Sequence, residues 1–246
     1  MTEHVITYPP TDVPKQVDED IWIVDSGPIR VAGLHLPVRM TVIRLGDGGL
    51  LLHSPTRFSA ALLKSLQDIG PIQHLLAPSM AHWQFIADWQ RACPKATIWA
   101  APGLAQRRQV RSSPLRIDRE LAPGLAQPWG DAVEVTYVPG GAGFCEAALF
   151  HRPSRTLILT DLIINLEASK LPLVERTGAR LVGSLAPRGK APLHLRLVVG
   201  MRRAEAKKAA RRLLNLAPDK VVFAHGAWFQ RNGTPRLRSA FGWLLG

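Results

Sequence analysis

Between residues 38 and 100 the chain reads as hairpin, helix, strand, helix, strand, and that order constrains its fold more than any other feature. Residues 38–45 alternate apolar positions, then Gly46-Asp47-Gly48-Gly49 leads into Leu50-Leu51-Leu52-His53. A glycine-rich turn between two such runs is a hairpin signal. Pro55 marks where the second strand must leave the sheet. Residues 58–66 read as a helix with Ala61, Leu62 and Leu66 inward, ended before Gly70-Pro71, and residues 72–76 as a buried strand. Residues 82–91 then read as a second helix, with Trp83, Ile86, Ala87 and Gln90 on neighbouring turns, followed after Pro94 by a strand at 96–100. A helix–strand rhythm of this kind predicts an α/β protein with crossover connections.

The same reading places strands at 21–24, 132–138, 146–150 and 156–160. Residues 202–214 form the clearest helix. Its Arg203, Lys207, Lys208, Arg211 and Arg212 recur at four-residue steps opposite Ala206, Ala210 and Leu213. Pro218 ends it, and Val221-Val222-Phe223-Ala224 is a short buried strand running into His225-Gly226. Residues 103–130, with Arg107, Arg108, Arg111 and Arg116 among three prolines, read either as a surface helix with a connection or as an arginine-lined binding rim. There are no internal repeats.

A chain of 246 residues can bury one substantial core. The expected organisation is an extended lead-in at 1–19 and a single domain at 20–246 whose last third is basic. The opening residues include Glu3, Asp12 and Pro9-Pro10 and lack the basic and apolar regions of a secretion signal. With no run of eighteen uncharged apolar residues, no transmembrane segment is expected, and the expected location is the cytoplasm. Cys93 and Cys145 follow no metal-binding spacing and read as reduced, structural thiols.

Charge is unevenly distributed. Residues 170–246 hold sixteen Lys and Arg against three acids, whereas residues 1–169 hold fifteen against sixteen, so the net charge of +12 is C-terminal in origin. Such a surface suits anionic partners, whether a small anionic or ester-like substrate or nucleic acid, or it is simply a solvated face.

Three polar residues stand at the ends of apolar runs. His82 follows the strand near Leu76, Asp161 ends Leu157-Ile158-Leu159-Thr160, and His225 ends residues 221–224. Strand ends are where α/β proteins assemble sites. Two imidazoles and a carboxylate suit one zinc or iron ion with a position left for water or substrate. Each residue also has a plain reading: a helix start for His82, a turn cap for Asp161, a backbone partner for His225. Gly46-Asp47-Gly48-Gly49 reads as a turn, and there is no dinucleotide fingerprint, phosphate loop, HExxH or GxSxG.

The residues around these positions resemble the metallo-β-lactamase superfamily, in a divergent branch known as a domain of unknown function. The stretch from Met40 to Pro55 resembles its opening β-unit, and Ile72 to His82 takes the place of its histidine-rich strand end. Thr160-Asp161 is similar to its bridging aspartate, and Val222-Phe223-Ala224-His225-Gly226 to its final histidine motif. The resemblance implies a four-layer αββα sandwich, a metal centre and hydrolysis. Departures are specific. Where the family has His-x-His-x-Asp-His, this chain has Ala77-Pro78-Ser79-Met80-Ala81-His82, and Gly140-Gly141 stands where a Gly-His is usual. His53-Ser54-Pro55 replaces the Asp-x-Gly after the first hairpin. One metal position therefore loses its histidines, while His82, Asp161 and His225 remain for the other.

These residues predict at most one ion. Glu146, just beyond the glycine loop, is the expected compensating ligand or general base, its plain reading being an outward strand carboxylate, and His53 is a weaker candidate. The expected function is a mononuclear metallohydrolase of an ester, lactone or phosphoester, with Asp161 and Glu146 as catalytic residues. The alternatives are a catalytically degenerate relative that binds a ligand or partner, and a nucleic-acid-binding or processing protein.

Overall fold

The computed structural model describes residues 6–31 and 34–246; the first five residues of the expected lead-in lie outside them. Strand β1 (Lys15–Asp18) is an edge strand paired antiparallel with β2 (Ile21–Val31), so the last part of the expected lead-in belongs to the sheet. β2 pairs with β3 (Leu34–Arg44), and β3 turns through Gly48, at φ +83°, into β4 (Leu50–His53). The left-handed φ at Gly48 is the physical reason that a glycine suits this turn.

After β4 the chain enters the predicted crossover unit. Helix α1 (Ala60–Gln67) is capped by the Ser59 side chain, which accepts from Leu62 N–H at 3.1 Å. β5 (Ile72–Ala77), α2 (Ile86–Ala92), β6 (Thr97–Ala100), the short α3 (Arg108–Arg111) and β7 (Arg119–Glu120) follow. The seven strands form one sheet in sequence order, antiparallel as far as β4 and parallel from there to β7. The basic 103–130 stretch thus contributes a sheet edge as well as a surface helix.

β8 (Val133–Pro139), β9 (Cys145–His151) and β10 (Thr156–Ile158) form an antiparallel second sheet, to which β12 (Lys220–Val222) adds in parallel. Between β10 and β12 lie β11 (Ile164–Asn165), α4 (Leu173–Leu181), α5 (Leu193–Gly200) and α6 (Arg203–Asn215). β12 (Lys220–Val222), β13 (His225–Gly226), α7 (Gly233–Ala240) and α8 (Gly242–Leu245) complete the chain. β11 and β13 pair in parallel as a small third sheet.

Period-two alternation divides the side chains among three cores. Leu51, Leu76 and Trp99 meet Ala147, Leu149 and Ile158 between the sheets. Their neighbours Leu50, Leu52, Leu75 and Ile98 point the other way, onto Leu62, Leu66, Ile86 and Trp89 of α1 and α2. On the second sheet Ala148, Phe150, Leu157, Val221 and Phe223 pack under Leu195, Val199, Ala210, Leu213 and Leu237. Both faces of both sheets are therefore covered, giving the four layers α, β, β, α. Strands buried on both sides read as continuous apolar runs, as 50–52 and 157–159 do. The basic helix α6 turns Ala206, Ala209, Ala210, Leu213 and Leu214 inward and leaves Arg203, Lys208 and Arg211 to solvent. No helix among the described residues is long and apolar enough to cross a membrane.

Candidate metal centre

Parallel pairing of β10 with β12 sets Ile158 beside Val222, and Leu159 N–H continues the ladder to Val222 O at 2.9 Å. Three residues beyond Ile158 is Asp161, and three beyond Val222 is His225. Equal rise along parallel strands brings both to one end of the sheet. His82 arrives from the other sheet, beyond β5. Pro78 O accepts from Ala147 N–H at 2.8 Å, which ties that strand exit to β9. The helix expected from residue 82 begins at Ile86; His82 sits in the preceding turn, where Trp83 Nε1 donates to Met80 O at 3.1 Å. Aromatic spacing alone extends the helix too far, because this turn satisfies its own polar groups first.

The three side chains converge. Asp161 Oδ1 lies 3.1 Å from His82 Nε2 and 3.2 Å from His225 Nε2, and one ligand atom from each of the three residues lies within 4.8 Å of the others. The ring centroids are 5.3 Å apart. Each imidazole is held from behind. His225 Nδ1 is 2.8 Å from Pro37 O, and His82 Nδ1 is 2.6 Å from Ser54 Oγ. A carbonyl only accepts, so His225 carries a proton on Nδ1 and presents Nε2 to Asp161. A lone pair facing a carboxylate is repulsive unless a proton or a cation lies between them. Burial works against a charged His82, but Asp161 outweighs it and raises the imidazole pKa above its ordinary value. Burial likewise opposes ionisation of Asp161, yet the two histidines hold it well below the usual carboxylate range.

This donor set fits a metal ion. A tetrahedral ion with bonds of about 2.0–2.1 Å separates neighbouring ligand atoms by about 3.3 Å, close to the 3.1 and 3.2 Å found here. His82, Asp161 and His225 are a candidate metal-binding triad, the one such group among the described residues.

Glu146 is not in that group. It is fully buried rather than outward-facing, beneath the turn that carries Asp161. Its Oε1 accepts from Thr160 N–H at 2.7 Å, and its Oε2 from Asp161 N–H at 3.0 Å and Leu162 N–H at 3.2 Å. Burial and then Asp161 push its pKa up to about 7, against the pull of the N–H donors. His53 is also outside the triad. Its side chain is buried with Nε2 unpartnered, and burial followed by the nearby His82 presses its pKa down to about 3.

Sequence reasoning passed over the supports. Arg39 Nη1 donates to Phe223 O at 2.9 Å and Gly226 O at 2.8 Å, bracketing His225, while Arg39 pairs with buried Asp25 at 2.6 Å. An arginine in the middle of the apolar 34–44 strand was the available signal, since a buried cation needs a partner. Gly226, at φ +92°, leaves room that a Cβ would fill, 2.1 Å from Asn165 O. Ser54, at φ +56°, had no sequence signal beyond following a strand end.

Solved structures share this architecture. A metallo-beta-lactamase from Pontibacter korlensis superposes with TM-score 0.62 at 14% identity, covering 94% of this chain and 97% of that one. One from Hirschia baltica gives 0.62 at 13% identity over 94% and 96%. The metallo-beta-lactamase FIM-1 from Pseudomonas aeruginosa, in a mono-zinc form, gives 0.63 at 11% over 98% and 96%. At these identities the likeness establishes the αββα metallo-β-lactamase fold and nothing finer. No curated protein sequence matches the chain. The model of the family described as Domain of unknown function (DUF4336) matches residues 18–188, a span that holds His82, Glu146 and Asp161 and stops before His225, and the chain belongs to that family.

Proposed function

We propose that the chain is a mononuclear metal-dependent hydrolase of a small anionic or ester-like substrate: an ester, lactone or phosphoester. One observation carries this reading: His82, Asp161 and His225 converge from three separate strand ends with their Nε2 and Oδ1 atoms turned toward one another. Zinc or iron(II) suits two imidazoles and a carboxylate. Such an ion, when bound, supplies Lewis acidity that polarises a carbonyl or phosphoryl oxygen and makes water acidic enough to attack. His82 and His225 would hold the ion through Nε2 and Asp161 through Oδ1. Ser54 and the Pro37 carbonyl orient the two rings. Glu146, with both oxygens turned to backbone N–H groups, is a positioning residue for Asp161 rather than a base in contact with substrate. The FIM-1 neighbour in mono-zinc form supports the stoichiometry by analogy.

A second reading, a binding protein without turnover, draws on the absence of a further metal-binding group among the described residues. Metal analysis of protein purified without chelator decides the first step. About one ion per chain in the wild type and none in the combined His82→Ala, Asp161→Ala, His225→Ala variant is expected; equal content in both removes the metal reading. Turnover in a hydrolase screen that His225→Ala abolishes separates the enzyme from the binding protein.

A further inference from the structure

Among the described residues nine large apolar side chains are exposed, and six of them cluster in the α4–α5 region: Leu173, Val174, Leu181, Leu193, Leu197 and Met201. Val174 and Leu181 are seven residues apart, and Leu193, Leu197 and Met201 follow at steps of four, so each set lies along one helix face. The inward faces are occupied by other residues, Ala179 on α4 and Leu195 and Val199 on α5. The exposed apolar side is therefore surplus to the core. The end of α4 meets α5 where a Cβ on Gly183 would lie 2.6 Å from Arg196 Nη2, and Met201 packs over Gly141.

Charge indicates what covers this face. Residues 170–203 contain eight Lys and Arg and one acid, Glu175. That acid is already engaged by His35 at 2.7 Å. Arg180 and Arg188 are exposed and make no ion pair among the described residues, and Arg202 pairs only with exposed Glu205.

We infer that the α4–α5 face docks this protein on the surface of an anionic lipid bilayer. Aliphatic side chains on short helices, rimmed by cations, suit the boundary between acyl chains and anionic headgroups. Helices of nine and eight residues are too short to span the bilayer, so the association is peripheral. A second copy of the chain would set cations against cations. Single-stranded nucleic acid favours aromatic stacking platforms, and none of the nine exposed residues is aromatic. The inference is independent of the metal reading and needs no catalytic activity to test.

The experiment is vesicle co-sedimentation of the full chain with phosphatidylcholine alone and with phosphatidylcholine containing phosphatidylglycerol. Binding to the anionic vesicles only, weakened by salt, is expected. Leu197→Asp with Met201→Asp, and separately Arg180→Glu with Arg188→Glu, each lower the affinity on the order of tenfold. The same charge reversal at Arg108 and Arg111, on α3, leaves it unchanged. Matched thermal unfolding of the variants shows that the fold is intact. The inference is overturned if the wild type ignores anionic vesicles, if the aspartate pair binds as the wild type does, or if the α3 variant loses as much as the α4–α5 variants. It is also overturned if Leu197→Asp with Met201→Asp dissolves a dimer, or if RNA or DNA is bound while vesicles are not.

Discussion

Arg39 and Asp25 form a 2.6 Å ion pair, each side chain 2–3% exposed, and the same guanidinium holds the carbonyls of Phe223 and Gly226 on either side of His225. Burial lowers the Arg39 pKa, and Asp25 opposes that shift. The pair therefore couples the stability of the first sheet to the position of His225, which the small third sheet carries.

Arg39→Leu leaves Asp25 with only Lys15, 2.5 Å away and partly exposed. A buried charge deprived of every partner costs about 3–5 kcal/mol, and the retained Lys15 keeps the expected loss at the low end of that range. Adding Asp25→Leu recovers much of that loss, because no buried charge remains. Metal affinity stays low in the double variant, since the two carbonyls bracketing His225 still lack their donor. Urea unfolding and metal titration on the same samples check both halves; recovery of affinity together with stability would show that Arg39 does not position His225.

Glu146→Gln replaces an acceptor that serves three N–H groups with an amide, which turns an NH2 toward at least one of them. A stability loss of about 1–3 kcal/mol follows from the unsatisfied buried donor. Groups that orient metal ligands typically change affinity by about 10–100-fold. Glu146→Gln is thus expected to weaken metal binding within that range while retaining one ion at saturation. Loss of all binding at saturating metal would instead make Glu146 a ligand.

The sequence discloses the layers because strands buried on both faces become uninterrupted apolar runs, and Leu50-Leu51-Leu52 and Leu157-Ile158-Leu159 are visible as such. His82, Asp161 and His225 are legible for the same reason, as polar residues that end those runs. Their supports are not. Arg39, Ser54 and the Pro37 carbonyl lie 28 to 188 residues from the groups they hold, and no periodicity links residues so far apart. Residues 162–201 receive no element from the sequence because α4 and α5 carry apolar residues on exposed as well as inward positions, so an apolar side chain there does not report burial.

His53 makes stability depend on pH in a defined direction. Its ordinary value of 6.5 falls to about 3 in the fold, chiefly through burial. Between those values the unfolded chain binds a proton that the folded chain refuses, so stability is fully present above 6.5 and declines as pH falls toward 3. The contribution reaches about 1.4 kcal/mol per pH unit in that window. His53→Gln removes it, and the difference between the two proteins in urea midpoint should narrow progressively on acidification. A difference that is constant with pH would place the His53 proton elsewhere.

Ser54 offers the sharpest separation of strain from ligand orientation. It adopts φ +56°, a region costly for a residue with a Cβ, while its Oγ lies 2.6 Å from His82 Nδ1 and its N–H donates to Leu76 O at 3.0 Å. Ser54→Ala keeps the strain and loses the hydroxyl, whereas Ser54→Gly loses both. The glycine variant is therefore expected to be the more stable of the two by about 0.5–1 kcal/mol, as its backbone adopts this φ freely. Both should bind zinc on the order of tenfold more weakly than the wild type, because the His82 ring loses the partner that turns Nε2 inward. Competition against a chromophoric chelator measures the affinity and thermal unfolding the stability. If the alanine variant binds zinc as tightly as the wild type, Ser54 is a backbone feature only, and the orientation of His82 rests on Asp161 and the turn at Met80.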